Sequence, residues 1–317
     1  MNEPMNEPGP IVCVGAHVQG LFMHVERVPR EGESVAGWGY REPRDGGKVA
    51  NVAVAAARFG APVALVTVIG SDDRSSGWLD HFASEGIDTR GIVRFDGPMD
   101  VGPALLPPSK VPAMVTVGDL SSRLDGVLVH EHAAAIRPAS IVVCALESPL
   151  DGVTEAFRLA REVGATTVLN ASPMTPIDDE LLDLVDVLVA NELELTALAA
   201  TGSSDPAESV AAVRRARPVP TVIATAGSDG AFVAARDADV VHVPAPPVDV
   251  VDTSGAGDAF VGALVALIRD GEPLLDAVGV AVVGASISCT REHTMSAYPS
   301  RAEVETFTLP IQGGTTT

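Results

Sequence analysis

Short apolar runs recur along the chain, separated by longer stretches with helical spacing. IVCVGA (11–16), VALVTVIG (63–70), SIVVCALE (140–147), TTVLNAS (166–172), DVLVANE (186–192) and TVIATAG (221–227) read as strands. Several are apolar on both faces, as strands of a parallel sheet covered on both sides should be. Between them VANVAVAAARFG (49–60), LDGVTEAFRLAREVG (150–164) and PAESVAAVRRAR (206–217) carry a helical period. In the second of these Val153, Phe157, Ala160 and Val163 fall on one side. The alternation predicts an α/β fold with a mostly parallel central sheet between two layers of helices.

Two stretches break the rhythm. Residues 21–45 are rich in Gly, Pro, Arg and Glu, and residues 98–120 read as two short strands, VGPALL and VPAMVTVG, around PPSK. Neither carries a helical pattern. Both are expected to leave the main sheet and pair into a small second one. No linker or repeat interrupts the rest, so one domain over 11–310 is expected, after a disordered segment at 1–10 with its repeated MNEP.

Charge and cysteines narrow the classes. A formal net charge of −21 repels nucleic acid and anionic membranes, so neither is an expected partner. Cys13, Cys144 and Cys289 are far apart and odd in number, which argues against a disulfide framework and for buried free thiols. The first residues lack the basic and apolar regions of a signal peptide, and no apolar run reaches the ~18 residues of a membrane span. A cytoplasmic location is expected.

The chemistry concentrates in DTSGAGDAF (252–260), which lies between a strand-like run and an apolar helical one that continues to about Asp270. A helix N-terminus offers unpaired N–H groups and partial positive charge, and glycines let an anion approach them. Gly255, Ala256 and Gly257 can thus form an anion hole with no basic side chain. Asp258 then stands where a carboxylate takes a proton from a substrate hydroxyl. The plainer reading of the same stretch is that Asp252 or Ser254 caps the helix. His130-Glu131-His132 brings two imidazoles close in sequence, but without a third ligand it reads as a solvated helix start. No G-x-x-x-x-G-K-[ST] and no G-x-G-x-x-G after a strand is present, against a P-loop enzyme and a dinucleotide dehydrogenase.

GGKVANVAVAAARFGAPVALVTVIGSD (46–72) is a second glycine-led entry into a helix. Together with DTSGAGD it resembles the two signature regions of the ribokinase-like (PfkB) carbohydrate kinases. ESP (147–149), NASP (170–173), NELE (191–194), TAGSDG (225–230) and CTR (289–291) follow in that family's order. The resemblance implies a ribokinase-like three-layer sandwich with a small β-sheet lid formed at 21–45 and 98–120, and a homodimer paired through that lid. It implies ATP and Mg2+ as cofactors. Asp258 would be the base, and Gly255, Ala256 and Gly257 would stabilise the transferred phosphoryl group. Gly47, Lys48, Asn51 and Glu147 would join Asp258 in holding the sugar. Asn191 and Glu194 would organise phosphates and magnesium, Glu194 through water. Thr225, Gly227, Ser228 and Gly230 would face the nucleotide.

Two departures from the family stand out. Gly20 lies where members that phosphorylate ribose, fructose or nucleosides usually carry an aspartate for sugar hydroxyls. Either His17 or Gln19 reaches in by a shift of register, or a larger substrate fills the space beside the glycine. After CTR the chain reads EHTMSAYPS (292–300), longer than the family's Gly-Ala loop and without glycine, which argues against a monovalent-cation site. The expected activity is ATP-dependent phosphorylation of a sugar hydroxymethyl group. A nucleoside kinase is the alternative within the family, and a non-catalytic sugar-binding or regulatory protein the alternative outside it.

Overall fold

The computed structural model describes residues 7–109, 113–199, 203, 205–236 and 238–307. Thirteen strands are assigned there: β1 (Ile11–Val14), β2 (Gln19–Val25), β3 (Gly37–Arg41), β4 (Val63–Ile69), β5 (Asp88–Arg94), β6 (Val101–Leu106), β7 (Ala113–Met114), β8 (Ile141–Ala145), β9 (Thr166–Asn170), β10 (Val187–Asn191), β11 (Thr221–Thr225), β12 (Ala231–Ala234) and β13 (Val241–Val243). The main sheet runs β13-β12-β11-β10-β9-β8-β1-β4-β5. From β11 to β5 it is parallel, and β12 and β13 add an antiparallel edge.

Among the described residues eleven α-helices surround it: α1 (Lys48–Arg58), α2 (Asp73–Ser84), α3 (Gly126–Glu131), α4 (Ala133–Ile136), α5 (Leu150–Val163), α6 (Asp179–Leu182), α7 (Glu192–Ala199), α8 (Pro206–Ala216), α9 (Ala256–Arg269), α10 (Leu274–Ser288) and α11 (Arg301–Glu305). The period of two divides each strand between two cores. Ile11 and Cys13 pack toward α1, α9 and α10, while Val12 and Val14 pack toward α5 and α8. Burying one such Val or Leu stabilises by roughly 1.5–3 kcal/mol, so both faces contribute and the strands read as apolar throughout. Gly262 lets α9 approach α1 closely: a Cβ there would come within 2.4 Å of the Ala55 Cβ. That contact sets the starts of the two helices side by side.

The stretches that broke the rhythm form a second sheet of four strands, β3-β2-β6-β7. It is mixed rather than purely antiparallel, with β2 and β6 parallel and the two outer pairs antiparallel. Of the segment expected to be disordered, residues 1–6 lie outside the described residues. Residues 7–10 lead into β1, and the Pro8 and Gly9 carbonyls accept bonds from Arg269. His130 and Glu131 lie in the last turn of α3 and His132 is the N-cap residue of α4; the His130 ring meets Glu155 at 2.7 Å. Among the described residues no group of three or more His, Cys, Asp or Glu could hold a metal ion. No described helix is long and apolar enough to cross a membrane.

Candidate active site

In a parallel α/β sheet, ligands bind beyond the carboxyl ends of the strands. Here those ends carry the polar residues: Asn170 closes β9, Asn191 closes β10, Thr225 closes β11 and Glu147 follows β8. The starts of α1 and α9 approach the same edge. Between these elements lies a cavity of about 850 Å³.

Asp258 is in the first turn of α9 and is 5 % exposed. Asn51 Nδ2 donates to its Oδ2 at 2.8 Å, and Asn170 Nδ2 donates to its Oδ1 at 3.3 Å. Burial raises the Asp258 pKa, while Lys48, Asn51 and Asn170 oppose the rise. Burial also works against the Lys48 ammonium, yet the Asp258, Glu147 and Glu194 carboxylates hold its pKa above the ordinary lysine value. The Lys48 backbone N–H donates to Glu147 at 2.6 Å. Burial lifts the Glu147 carboxyl to about 7. The cluster is a cation among three carboxylates, two of them with pKa values moved upward.

The turn before α9 is built by Asp252. Its carboxylate accepts from the Ser254 N–H at 2.9 Å and from the His293 N–H at 3.0 Å. Neither Asp252 nor Ser254 caps α9 with its side chain; Gly255 is the N-cap residue, at φ 70. The N–H groups of Gly255, Gly257 and Asp258 find no acceptor among the described residues. They border the cavity, where an anion would satisfy them.

Lys48, Asn170, Asn191, Glu194, Thr225, Gly227, Ser228, Gly230 and the segment 255–258 all line the cavity. Asn191 and Glu194 brace each other. The Asn191 N–H donates to the Glu194 carboxylate and the Glu194 N–H to the Asn191 amide oxygen, both at 2.9 Å. Gly47, Asn51 and Glu147 are not part of the cavity lining. Asn51 donates directly to Asp258, and Glu147 accepts the N–H of Lys48, the residue after Gly47. The wall opposite the polar groups is apolar, with Pro246, Val248, Val250, Val282 and Ala285. Sequence reading did not assign Asn170 or this wall. Asn170 had a usable signal, a polar side chain closing an apolar strand; the wall had none.

Neither His17 nor Gln19 reaches the site. The His17 Nδ1–H donates to the Gly46 carbonyl at 2.9 Å, and its ring packs edge-on against Trp78 at 4.2 Å. Burial pushes its pKa down to about 3, so it is neutral. Gln19 donates to the Gly20 and Pro43 carbonyls and accepts from the Trp78 indole. Nor does Gly20 leave room for a larger substrate. A Cβ at that position would come within 2.6 Å of the Phe22 ring and 2.7 Å of the Asp45 carbonyl. In the 292–300 segment His293 adopts φ 75, a left-handed conformation usually left to glycine.

Comparison with known proteins places this geometry. The sequence signature of the pfkB family carbohydrate kinases matches residues 10–301. The chain is 34% identical over 248 residues to a ribokinase of Haemophilus influenzae, covering 77% of this chain and 80% of that one. It is 29% identical over 296 residues to a deoxyribokinase of Salmonella typhi, covering 92% and 95%. Its fold superimposes on Arabidopsis thaliana ribokinase, solved with ribose and ATP, with a TM-score of 0.84 at 24% identity over 95% of this chain and 100% of that one.

Proposed function

The chain belongs to the pfkB family of carbohydrate kinases, and on that premise we propose that it transfers the terminal phosphoryl group of ATP to a hydroxymethyl group of a sugar. The observation that carries the reading is Asp258, a buried carboxylate held by two amides beside unpaired helix N–H groups. Asp258 takes the proton of the sugar hydroxyl as that oxygen attacks the terminal phosphorus, and the bond to the ADP oxygen breaks. Its raised pKa makes it a better proton acceptor than an ordinary carboxylate. The Gly255, Gly257 and Asp258 N–H groups, with Ala256 completing the turn, meet the charge on the transferred group. Lys48 offsets the remaining negative charge.

Gly47, Lys48, Asn51 and Glu147 hold the sugar beside Asp258. Asn191, Thr225, Gly227, Ser228 and Gly230 line the nucleotide end. Glu194 is the carboxylate that would hold Mg2+ through water, and the ion would supply charge neutralisation at the phosphates. The nucleoside alternative drew on room around Gly20. Phe22 occupies that room, which favours a free sugar.

The small sheet serves as a lid and as a dimer contact. Trp38, Tyr40, Met114, Val115 and Val117 expose about half or more of their surface there, an apolar group that a second copy would cover. The three free cysteines and the acidic surface suit the cytoplasm.

ADP release from Mg-ATP, followed across pentoses, hexoses, ketoses and nucleosides, tests the activity. Turnover is expected on a free sugar, and Asp258→Asn should lower kcat by roughly 10²–10⁴-fold with the fold intact. Binding of a sugar without any ADP formation would overturn the catalytic reading in favour of a non-catalytic one.

A further inference from the structure

An amide that serves a carboxylate does so in only one of its two orientations. Asn51 turns its Nδ2 to Asp258 Oδ2 at 2.8 Å. Rotated by half a turn it would set Oδ1 against the carboxylate, acceptor against acceptor. The carboxylate sets this orientation, and the other end of the amide is held by Thr294. The Thr294 hydroxyl donates to Asn51 Oδ1 at 3.3 Å.

Thr294 is itself fixed. It is 7 % exposed. Its N–H donates to Asp45 Oδ2 at 3.1 Å, and the next N–H, of Met295, donates to Asp45 Oδ1 at 2.8 Å. The Asp45 side chain is wholly buried, so it has no solvent to turn to. The same loop also supports the turn before α9. The Thr294 Cβ lies 2.9 Å, and the Tyr298 Oη 2.5 Å, from where a Cβ on Gly255 would stand.

We propose that Thr294, anchored by Asp45, is a positioning residue that holds the Asn51 amide against Asp258 and through it the catalytic carboxylate. This inference rests on Asp258 being the base. The charged and titratable groups facing Asp258 are Lys48, Glu194, Glu147 and Tyr298. Asn51 is among the groups that hold the Asp258 pKa down against burial. Without the Thr294 hydroxyl the amide loses its second anchor and its bond to Asp258 weakens, so Asp258 binds its proton more tightly.

The test compares Thr294→Val with Thr294→Ser in the full chain, over kcat, both KM values and pH. The Val variant should lose roughly 3- to 10-fold in kcat, about one uncharged hydrogen bond, with the KM for ATP unchanged. Asp258 must be ionised to act, so activity falls on the acid side. That acid limb should move to higher pH in Val and return in Ser. A carboxyl-carbon NMR titration of Asp258, assigned against Asp258→Asn, reads the same change without turnover. Its midpoint should rise in Val and recover in Ser. An unmoved limb and midpoint, or a Ser variant as altered as Val, overturns the proposal. If no sugar is phosphorylated while the midpoint moves as described, the positioning stands and the assignment of a kinase reaction falls.

Discussion

The starts of α1 and α9 are the same local device put to different ends. Both begin at a glycine with positive φ, Gly47 at 77 and Gly255 at 70, and neither has a side-chain cap. A Cβ on Gly47 would meet the His17 Cα at 2.8 Å, and one on Gly255 the Tyr298 Oη at 2.5 Å. Both ends carry the partial positive charge of a helix N-terminus. At α1 the protein supplies its own anion, since Glu147 accepts the first N–H. At α9 no described group does so, and the N–H groups face the cavity. A glycine-led helix start is therefore not by itself an anion site. A distant carboxylate decides whether the charge is spent within the protein or left for a substrate.

The hardest blow to this arrangement is Gly255→Ala. A left-handed alanine costs roughly 1–2 kcal/mol, and crowding Thr294 and Tyr298 adds about 1–3 kcal/mol. A loss of about 2–5 kcal/mol in unfolding free energy is expected, read from urea midpoints. A loss under about 0.5 kcal/mol would show that the 292–298 segment yields easily, and would weaken the case that it braces the turn.

Glu147→Gln removes the built-in anion and keeps an acceptor for the Lys48 N–H. The effect is a slope with pH. The folded Glu147 keeps its proton up to about 7, whereas the unfolded side chain releases it near 4.5. The stability from that proton is fully present below about 4.5 and lost as pH rises through about 7. Relative to the Gln variant, the parent should lose about 1–2 kcal/mol between pH 5 and 8, a figure reduced because Glu147 keeps some exposure. Parallel stability curves for the two proteins would mean that Glu147 ionises as freely as a surface carboxylate, and the contrast with α9 would lose one side.

Much of this comparison was legible in the sequence because its parts are local. DTSGAGD and GGKVAN show glycines leading into helical periods, and β1, β4 and β8 show as apolar runs because both faces are covered. Edge strand β5, DTRGIVR, escaped notice because its exposed positions are polar. The bonds that hold the site escaped for another reason. Asn170 meets Asp258 across 88 positions, Thr294 meets Asn51 across 243 and Asp45 across 249. No spacing rule reaches so far. His17 and Gln19 were legible as polar residues in an apolar strand end, but only Trp78, brought in by α2, shows that they serve the core.

The smallest expected effect separates the two glycines of the turn. Gly257 lies inside α9, and a Cβ there would have no heavy atom within 4 Å. Gly257→Ala should leave stability unchanged or raise it by a few tenths of a kcal/mol, because alanine is the better helix former. The added methyl would stand at the mouth of the unpaired N–H groups, where an approaching phosphate must come close. A loss of about 2- to 5-fold in kcat/KM for ATP, with an unaltered melting temperature, is the expected result, equal to weakening one hydrogen bond. Gly255 is held by the protein around it, whereas Gly257 answers to the ligand alone. If Gly257→Ala kept full activity, the phosphoryl group would have to lie away from the start of α9, and the open helix end would be no more than the closed one at α1.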